Sequence, residues 1–352
     1  MPAKGGRATL ATVAASAGVS VATVSRVLNG HSDVGAATRA RVESLLRQHQ
    51  YSGRRSAPLR LSAASARVEL LFEHPLNAYQ TEIIQGVIGA ATGLGIAVAL
   101  DMSGGRDFEV ERPSGWARDL ASAGRQAVIT IVHELNAENL RALARAHLPV
   151  VVIDPKNLPQ ARVTSVGSTN FAGGLAAAQH LLSLGHRRIA YIGGEATAPR
   201  TQARMHGYRA ALEAAGITIP AGYIRAGYFR YEDGVVGAAA LLDLPQPPTA
   251  VFAGNDETAA GVVEAARTRG LRIPEDLSVV GFDDTEIARF ASPALTTVRQ
   301  PLQEMGAVAL RTALRLARKE KLDSHHVELA TELVVRHSTT RPNDNGAGDL
   351  TR

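Results

Sequence analysis

The chain contains no cysteine. Disulfides and thiolate-ligated metal sites are therefore excluded, and a reducing compartment such as the cytoplasm suits it. Long apolar runs are missing as well. No stretch approaches the ~18 consecutive apolar residues of a membrane span. The opening MPAKGGRATLATVA lacks an apolar core of the length an export signal uses. We therefore expect a cytoplasmic protein with no membrane partner. Motifs for catalysis are also absent. IGGEATAP (192–199) lacks the G-x-G-x-x-G spacing of a dinucleotide site, and there is no phosphate-loop lysine, nucleophile elbow or His-x-x-x-His pair. Asp283, Asp284 and His74 would be the groups of an acid–base hydrolase, but nothing accompanies them. The expectation is no enzyme, no cofactor and no metal.

What is present is unevenly distributed. At 352 residues the chain exceeds one core and predicts two or three domains. Residues 1–66 hold nine cations (Lys4 and eight arginines) against Asp33 and Glu43, so that segment carries +7 and the remainder −2 of the net +5. A small basic head on a near-neutral body is the electrostatic footprint of a polyanion binder. The head is also periodic. Leu10, Val13, Ala14 and Ala17 fit a helix over 9–17. Gly18 permits a turn, Ser20 can cap a helix over 21–29, and Gly30 stops it. A third helix fits 36–49, with Val42, Leu45 and Leu46 apolar. The expected buried stripe of the second helix is Val21, Val24 and Leu28. Two short helices across a glycine turn make a helix-turn-helix, whose second helix enters the DNA major groove. That helix needs few charges, because the surrounding arginines supply the salt-dependent attraction.

The phrase TLATVAASAGVSVATVSRVLNG (9–30) strongly resembles the head of the lactose-repressor (LacI) family of bacterial transcription regulators. Thr12 stands where that family usually has Asp. The resemblance implies phosphate contacts from Ser20, Thr23, Ser25, Asn29 and Thr38, flanked by Thr9 and Arg54. It places Val21, Ala22 and Arg26 against bases. Arg26 can pair with guanine in bidentate fashion; Val21 and Ala22 can offer only apolar contact. Residues 51–66 read as the linker that forms a hinge helix in the family. Leu59 or Leu61 would be the wedge into the minor groove, with Pro58 upsetting the register.

From Arg67 strand-like runs alternate with helical stretches. Strands are expected over 68–72, 96–100, 127–132, 149–154, 188–194, 223–227, 249–254 and 277–284. Helices are expected over 82–93, 137–146, 170–184, 201–215, 232–242, 255–269 and 301–318. This predicts an α/β body of two doubly wound parallel-sheet lobes behind an α-helical head. Ligands of such sheets bind beyond the strand carboxyl ends. The polar and aromatic residues there are Glu73, His74, Asn77, Asp101, His133, Asp154, Arg200, Thr201, Arg204, Tyr228, Phe229, Asn255, Asp256, Asp283 and Asp284. Carboxylates, amides and an arginine beside aromatic rings suit a sugar. Asp256 reads as a helix cap, Asp284 as structural, His133 as a loop histidine, and Trp116 as packing on a helix.

HLLSLGHRRIAYIGG, RMHGYRAAL, VFAGNDETAAG, IPEDLSVVGFDD and PALTTVRQP extend the resemblance over residues 9–342, and to the periplasmic sugar-binding proteins that share the fold. It implies effector hydrogen bonds from Arg204, Asn255 and Asp283, stacking on Phe229, and a first-lobe polar contact from Asp154. His74 and Asn77 are further candidates. It also implies three chain crossings between lobes. The resulting division is a head over 8–50, a hinge over 51–66, one lobe over 67–166 plus 299–327, and the other over 167–298 plus 328–342. The end of the chain, RPNDNGAGDLTR from Arg341, reads as a disordered tail, over 343–352 in this division. The tail has no leucine heptad, so a homodimer on a near-palindromic operator is expected rather than a tetramer. EHPLNAYQTEIIQGV resembles actinobacterial sugar-responsive members, implying xylose, a xylo-oligosaccharide or cellobiose as the releasing effector. Three alternatives remain open at this point: a ligand that strengthens DNA binding, a purine stacked among Phe72, Phe229 and Phe290, and control by a phosphoprotein partner.

Overall fold

A computed structural model of the chain describes residues 10–28, 34–48, 67–73, 75–104, 113–132, 135–156 and 163–343. The chain forms two compact units, residues 1–64 and 65–352. In the first, α1 (Leu10–Ala17), α2 (Val21–Leu28) and α3 (Ala36–Gln48) enclose a small core of Val13, Ala14, Ala17, Val24, Val27 and Val42. Gly18 takes the left-handed conformation (φ +65°) that the turn between α1 and α2 requires.

The second unit runs β1 (Arg67–Glu73), α4 (Ala78–Leu94), β2 (Ala97–Gly104), α5 (Pro113–Ser122), β3 (Ala127–Ile131), α6 (Ala137–Arg145), β4 (Val150–Ile153), β5 (Thr164–Ser168) and α7 (Asn170–Ser183). It continues through β6 (Ile189–Ile192), α8 (Pro199–Ala214), β7 (Ile224–Arg225), α9 (Tyr231–Leu242), β8 (Ala250–Ala253), α10 (Asp256–Thr268) and β9 (Ser278–Asp283). It closes with α11 (Glu286–Phe290), β10 (Thr296–Arg299), α12 (Leu302–Ala317), β11 (His326–Leu329) and β12 (Glu332–Val334). One sheet has the order β11-β5-β4-β3-β1-β2, the other β12-β10-β9-β8-β6-β7. All pairings are parallel except β12 on β10, an antiparallel edge. Parallel strands covered on both faces read as near-continuous apolar runs, which is why the eight expected strands are found. Apolar runs do not reveal β5 (TSVGS), β10 (TTVR), β11 (HVEL) or β12 (ELV). These short strands flank the chain crossings and carry hydroxyls and charges.

The chain passes between sheets after Ser168, after Arg299 and after Leu329. Divisions at 166/167, 298/299 and 327/328 would each cut a strand, and strand pairing moves them to the strand ends. The segment expected as tail also needs correction at its start. Asn343 donates from Nδ2 to the Glu275 carbonyl at 2.6 Å, and the Thr340 N–H bonds Ser278 Oγ at 3.0 Å. Residues 344–352 lie outside the described residues.

In the first lobe α12 covers β3, β4 and β5 and crosses α4, burying Leu302, Met305, Leu310 and Leu314 against Ile83, Val87, Ile129 and Ile153. In the second, α7 and α8 cross so closely that a Cβ on Gly174 would run into the Arg204 backbone. Gly174→Ala is therefore expected to push α8 outward and destabilise the body by about 1–3 kcal/mol. Thermal unfolding of the variant checks this; an unchanged Tm would refute the close crossing.

Candidate functional site

Recognition by the head depends on what α2 exposes. The Ser20 hydroxyl accepts the Thr23 N–H at 3.1 Å and lies 2.9 Å from the Thr23 hydroxyl, so Ser20 is the cap and Thr23 is held beside it. Val21 is 45% exposed, while Val24 and Val27 are buried. This corrects the expected stripe of Val21, Val24 and Leu28. At about 100° per residue, a face centred between 24 and 27 leaves Val21 a quarter turn away. Val21, Ala22 and Arg26 thus share exposure at the start and middle of α2, and Thr38 is half-buried on α3. Thr9, Asn29, Arg54, Leu59 and Leu61 lie outside the described residues, as does the side chain of Ser25.

In the body, polar groups gather at the strand carboxyl ends. Arg204, on the second turn of α8, is 2% exposed. Its Nε donates to Asn170 Oδ1 at 2.7 Å and its Nη1 to the Gly254 carbonyl at 2.5 Å. Nη1 also stands 3.7 Å from Asp283 Oδ1, and the guanidinium lies 3.8 Å over the Phe282 ring. Asp283 accepts Gln300 Nε2 at 2.6 Å. Burial lifts its carboxyl well above the usual range, with Arg204 pulling it back. Gln300 in turn accepts the Ser168 hydroxyl at 2.5 Å. One chain of bonds thus runs from Arg204 through Asp283 and Gln300 to Ser168, touching two crossings.

Phe229 has a left-handed backbone (φ +63°), and its ring packs where Gly194 and Gly254 have no Cβ. Asn255 holds it there. The Asn255 amide donates to the Phe229 carbonyl at 2.9 Å, and its Oδ1 caps α10 by accepting the Thr258 N–H at 2.9 Å. Asn255 is therefore first a positioning residue. Asp256, expected as that cap, does something else. It accepts from the Thr285 N–H (2.8 Å), the Thr285 hydroxyl (3.0 Å) and the Thr297 hydroxyl (2.6 Å). Asp284 is structural, bound by Arg299 at 2.7 Å and Arg336 at 2.5 Å. In the first lobe Asp154 (φ +48°) accepts the Tyr79 hydroxyl at 2.6 Å. Burial, then Asp154, hold that phenol well above its ordinary pKa. Asn77 is not beside it: its side chain forms a capping box with Gln80 at the start of α4. Trp116 packs on the outer core of the first lobe. His74 and His133 lie outside the described residues.

Tyr79, Asn170 and Gln300 escape a search of strand ends. Tyr79 and Asn170 sit in first helical turns, and Gln300 follows the β10 crossing. Their signal was membership of quoted phrases or helix starts, not position after a run.

Asp256 gives a pH prediction. Burial pushes its carboxyl up to about 7 against the three bonds that lower it. The folded chain therefore holds this proton more tightly than an unfolded chain, whose aspartate titrates near 4. The stability from this group is full below about pH 4 and is lost as pH rises towards 7. Asp256→Asn removes the charge and is expected to gain on the wild type as pH rises from 5 to 8. A Tm difference constant over that range would refute it.

A three-helix head with an exposed α2 edge, followed in the chain by a two-lobed body with buried ion and ring clusters at its strand ends, defines a DNA-binding regulator with a ligand-sensing body. The comparisons agree. Residues 9–53 match the family model of bacterial regulatory proteins, lacI family, and residues 178–339 that of a periplasmic binding protein-like domain. The transcriptional regulator DegA of Bacillus subtilis is 34% identical over 337 residues, covering 95% of this chain and 98% of the relative. A solved complex of the regulator CelR with cellobiose has TM-score 0.69 at 31% identity, covering 94% of this chain and all of that one. The lac repressor dimer bound to operator and an anti-inducer has TM-score 0.67 at 27% identity, covering 95% and 100%. The chain belongs to the LacI family of bacterial transcriptional regulators. Among the described residues no helix is long and apolar enough to cross a membrane.

Proposed function

We propose that this regulator is a repressor of carbohydrate-utilisation genes, released from its operator by a sugar bound between the lobes. The observation that carries the reading is the bonded chain Arg204–Asp283–Gln300–Ser168. A ligand that engages Arg204 and Asp283 pulls on two of the segments that set the angle between lobes. Phe229 offers a ring for the sugar's apolar face, and Asp154 with Tyr79 offers the first-lobe contact. The CelR–cellobiose complex supports a sugar, and the lac repressor dimer on operator supports a homodimer on a near-palindromic site. Such a dimer would read half-sites about one helical turn apart through Val21, Ala22 and Arg26. Release requires the sugar to favour the DNA-incompetent state, with couplings of about 1–3 kcal/mol being typical.

The test is fluorescence anisotropy on DNA from upstream of the gene, at fixed salt, with xylose, xylobiose, cellobiose and glucose. One sugar is expected to weaken operator binding at least about fivefold. A sugar that tightens binding would overturn release and give corepression instead.

A further inference from the structure

Beside the cluster at Arg204 lies a groove of about 470 Å³, in the size range of small-molecule sites. One wall is the face of β5 and β11 that carries Gly167 and Glu328, which pair in register. This face points away from Val166 and Leu329, which pack towards α12. The other wall is the first turns of α7 and α8, with Phe171 and Arg200. The walls thus come from different lobes. Two residues join groove to cleft. Asp154 accepts the Tyr79 hydroxyl at Oδ2, while its Oδ1 lies over Gly167, 3.1 Å from where a Cβ would stand. Arg200 reaches to 5.6 Å from the Phe229 ring, and its Nη1 is buried without a hydrogen-bond partner. Phe171 lines the groove and is 48% exposed.

We propose that this groove is a second sugar subsite, so that the effector is a short oligosaccharide. One unit sits at Phe229, Arg204 and Asp283, and the next at Phe171, Arg200 and Glu328. The inference rests on the reading that the effector is a sugar. The groove offers an exposed ring for an apolar sugar face, a guanidinium with an unused donor, and a carboxylate opposite. A free anion would face both Asp154 and Glu328, and an apolar ligand would leave the Arg200 donor unpaired. Gly167 keeps the passage past Asp154 open. Because the second unit touches both lobes, chain length bears on the DNA response as well as on affinity.

Isothermal titration of the full-length protein with xylose, xylobiose and xylotriose, and with glucose, cellobiose and cellotriose, tests this. In one series the disaccharide is expected to bind at least tenfold more tightly than the monosaccharide. Phe171→Ala, which removes the exposed ring, and Ala172→Trp, which fills the groove, are expected to erase that gain. Operator affinity without sugar, unchanged in both variants, reports that they are folded. Equal affinity for mono- and disaccharide in the wild type would overturn the subsite and leave the sugar reading standing. Retention of the gain in both variants would do the same. No binding by any of the six sugars would overturn the sugar reading, and this inference with it.

Discussion

Arg204→Ala is expected to abolish the effector response while leaving operator binding within about threefold of wild type. The reason is the number of partners that one guanidinium serves. It bonds Asn170, Gly254 and the side of Asp283, and it stacks on Phe282. Alanine removes the donors to Asn170 and Gly254 and leaves Asp283 in a buried site without its cation. Breaking a buried pair by deleting one partner costs about 3–5 kcal/mol. The raised Asp283 pKa softens that cost, because the carboxyl can keep a proton. A loss of about 3 kcal/mol corresponds to a Tm drop on the order of 10 °C for a body of this size. Arg204→Lys keeps the charge without the planar fork and is expected to restore part of the stability but little of the response. Anisotropy with and without sugar, beside thermal unfolding, separates the two effects. A full response in Arg204→Ala would remove Arg204 from the site.

Gln300→Leu is expected to uncouple the sensor from the head. Gln300 is 3% exposed and joins Asp283 to Ser168 across two crossings. Leucine fills the space but leaves the Ser168 hydroxyl without its acceptor, at about 1–3 kcal/mol, and leaves Asp283 Oδ1 with the Arg204 ion pair alone. The ratio of operator affinities without and with sugar is expected to fall from at least about fivefold in the wild type to within about twofold of unity. Sugar affinity in the absence of DNA should change less. Linkage supplies an internal check, since the operator must change sugar affinity by the same ratio. A coupling ratio equal to wild type would show that Gln300 carries no signal.

Much of this architecture was legible before any coordinates. Buried parallel strands have an apolar signature, and the helices between them have caps and periodicity, so the sheets could be placed. The strand-end rule reached Arg204, Phe229, Asn255, Asp283 and Asp154, because strand ends follow from strands. What stayed hidden was direction and partnership. Val21 and Val24 look alike in a helical pattern, and only packing against α1 and α3 decides which is covered. Asn255 and Asp256 are adjacent polar residues. Which one caps α10 and which one bonds Thr297, some forty positions away, is a tertiary outcome. Gln300 has no local signature, since its partners come from β5 and β9. The polar strands at the crossings were illegible for the same reason: they are short, and β5 and β10 bury hydroxyls whose partners lie far along the chain.

The interleaved chain path bears on how the molecule is made. Five of the six strands of the first lobe's sheet are made by Ser168, yet the helix that covers one of its faces begins at Leu302. At about 5–20 residues per second of synthesis, the 133 intervening positions take roughly 7–27 s. Throughout that interval Ile83, Val87, Ile129 and Ile153 lack the Leu302, Met305, Leu310 and Leu314 side chains that cover them, and β5 is an edge awaiting β11. The second lobe likewise has five of its six strands contiguous between Ile189 and Arg299 and receives its edge strand, β12, only after the last crossing. The first lobe therefore waits for α12 and β11 and the second for β12, so neither sheet is finished until the chain reaches its last crossing.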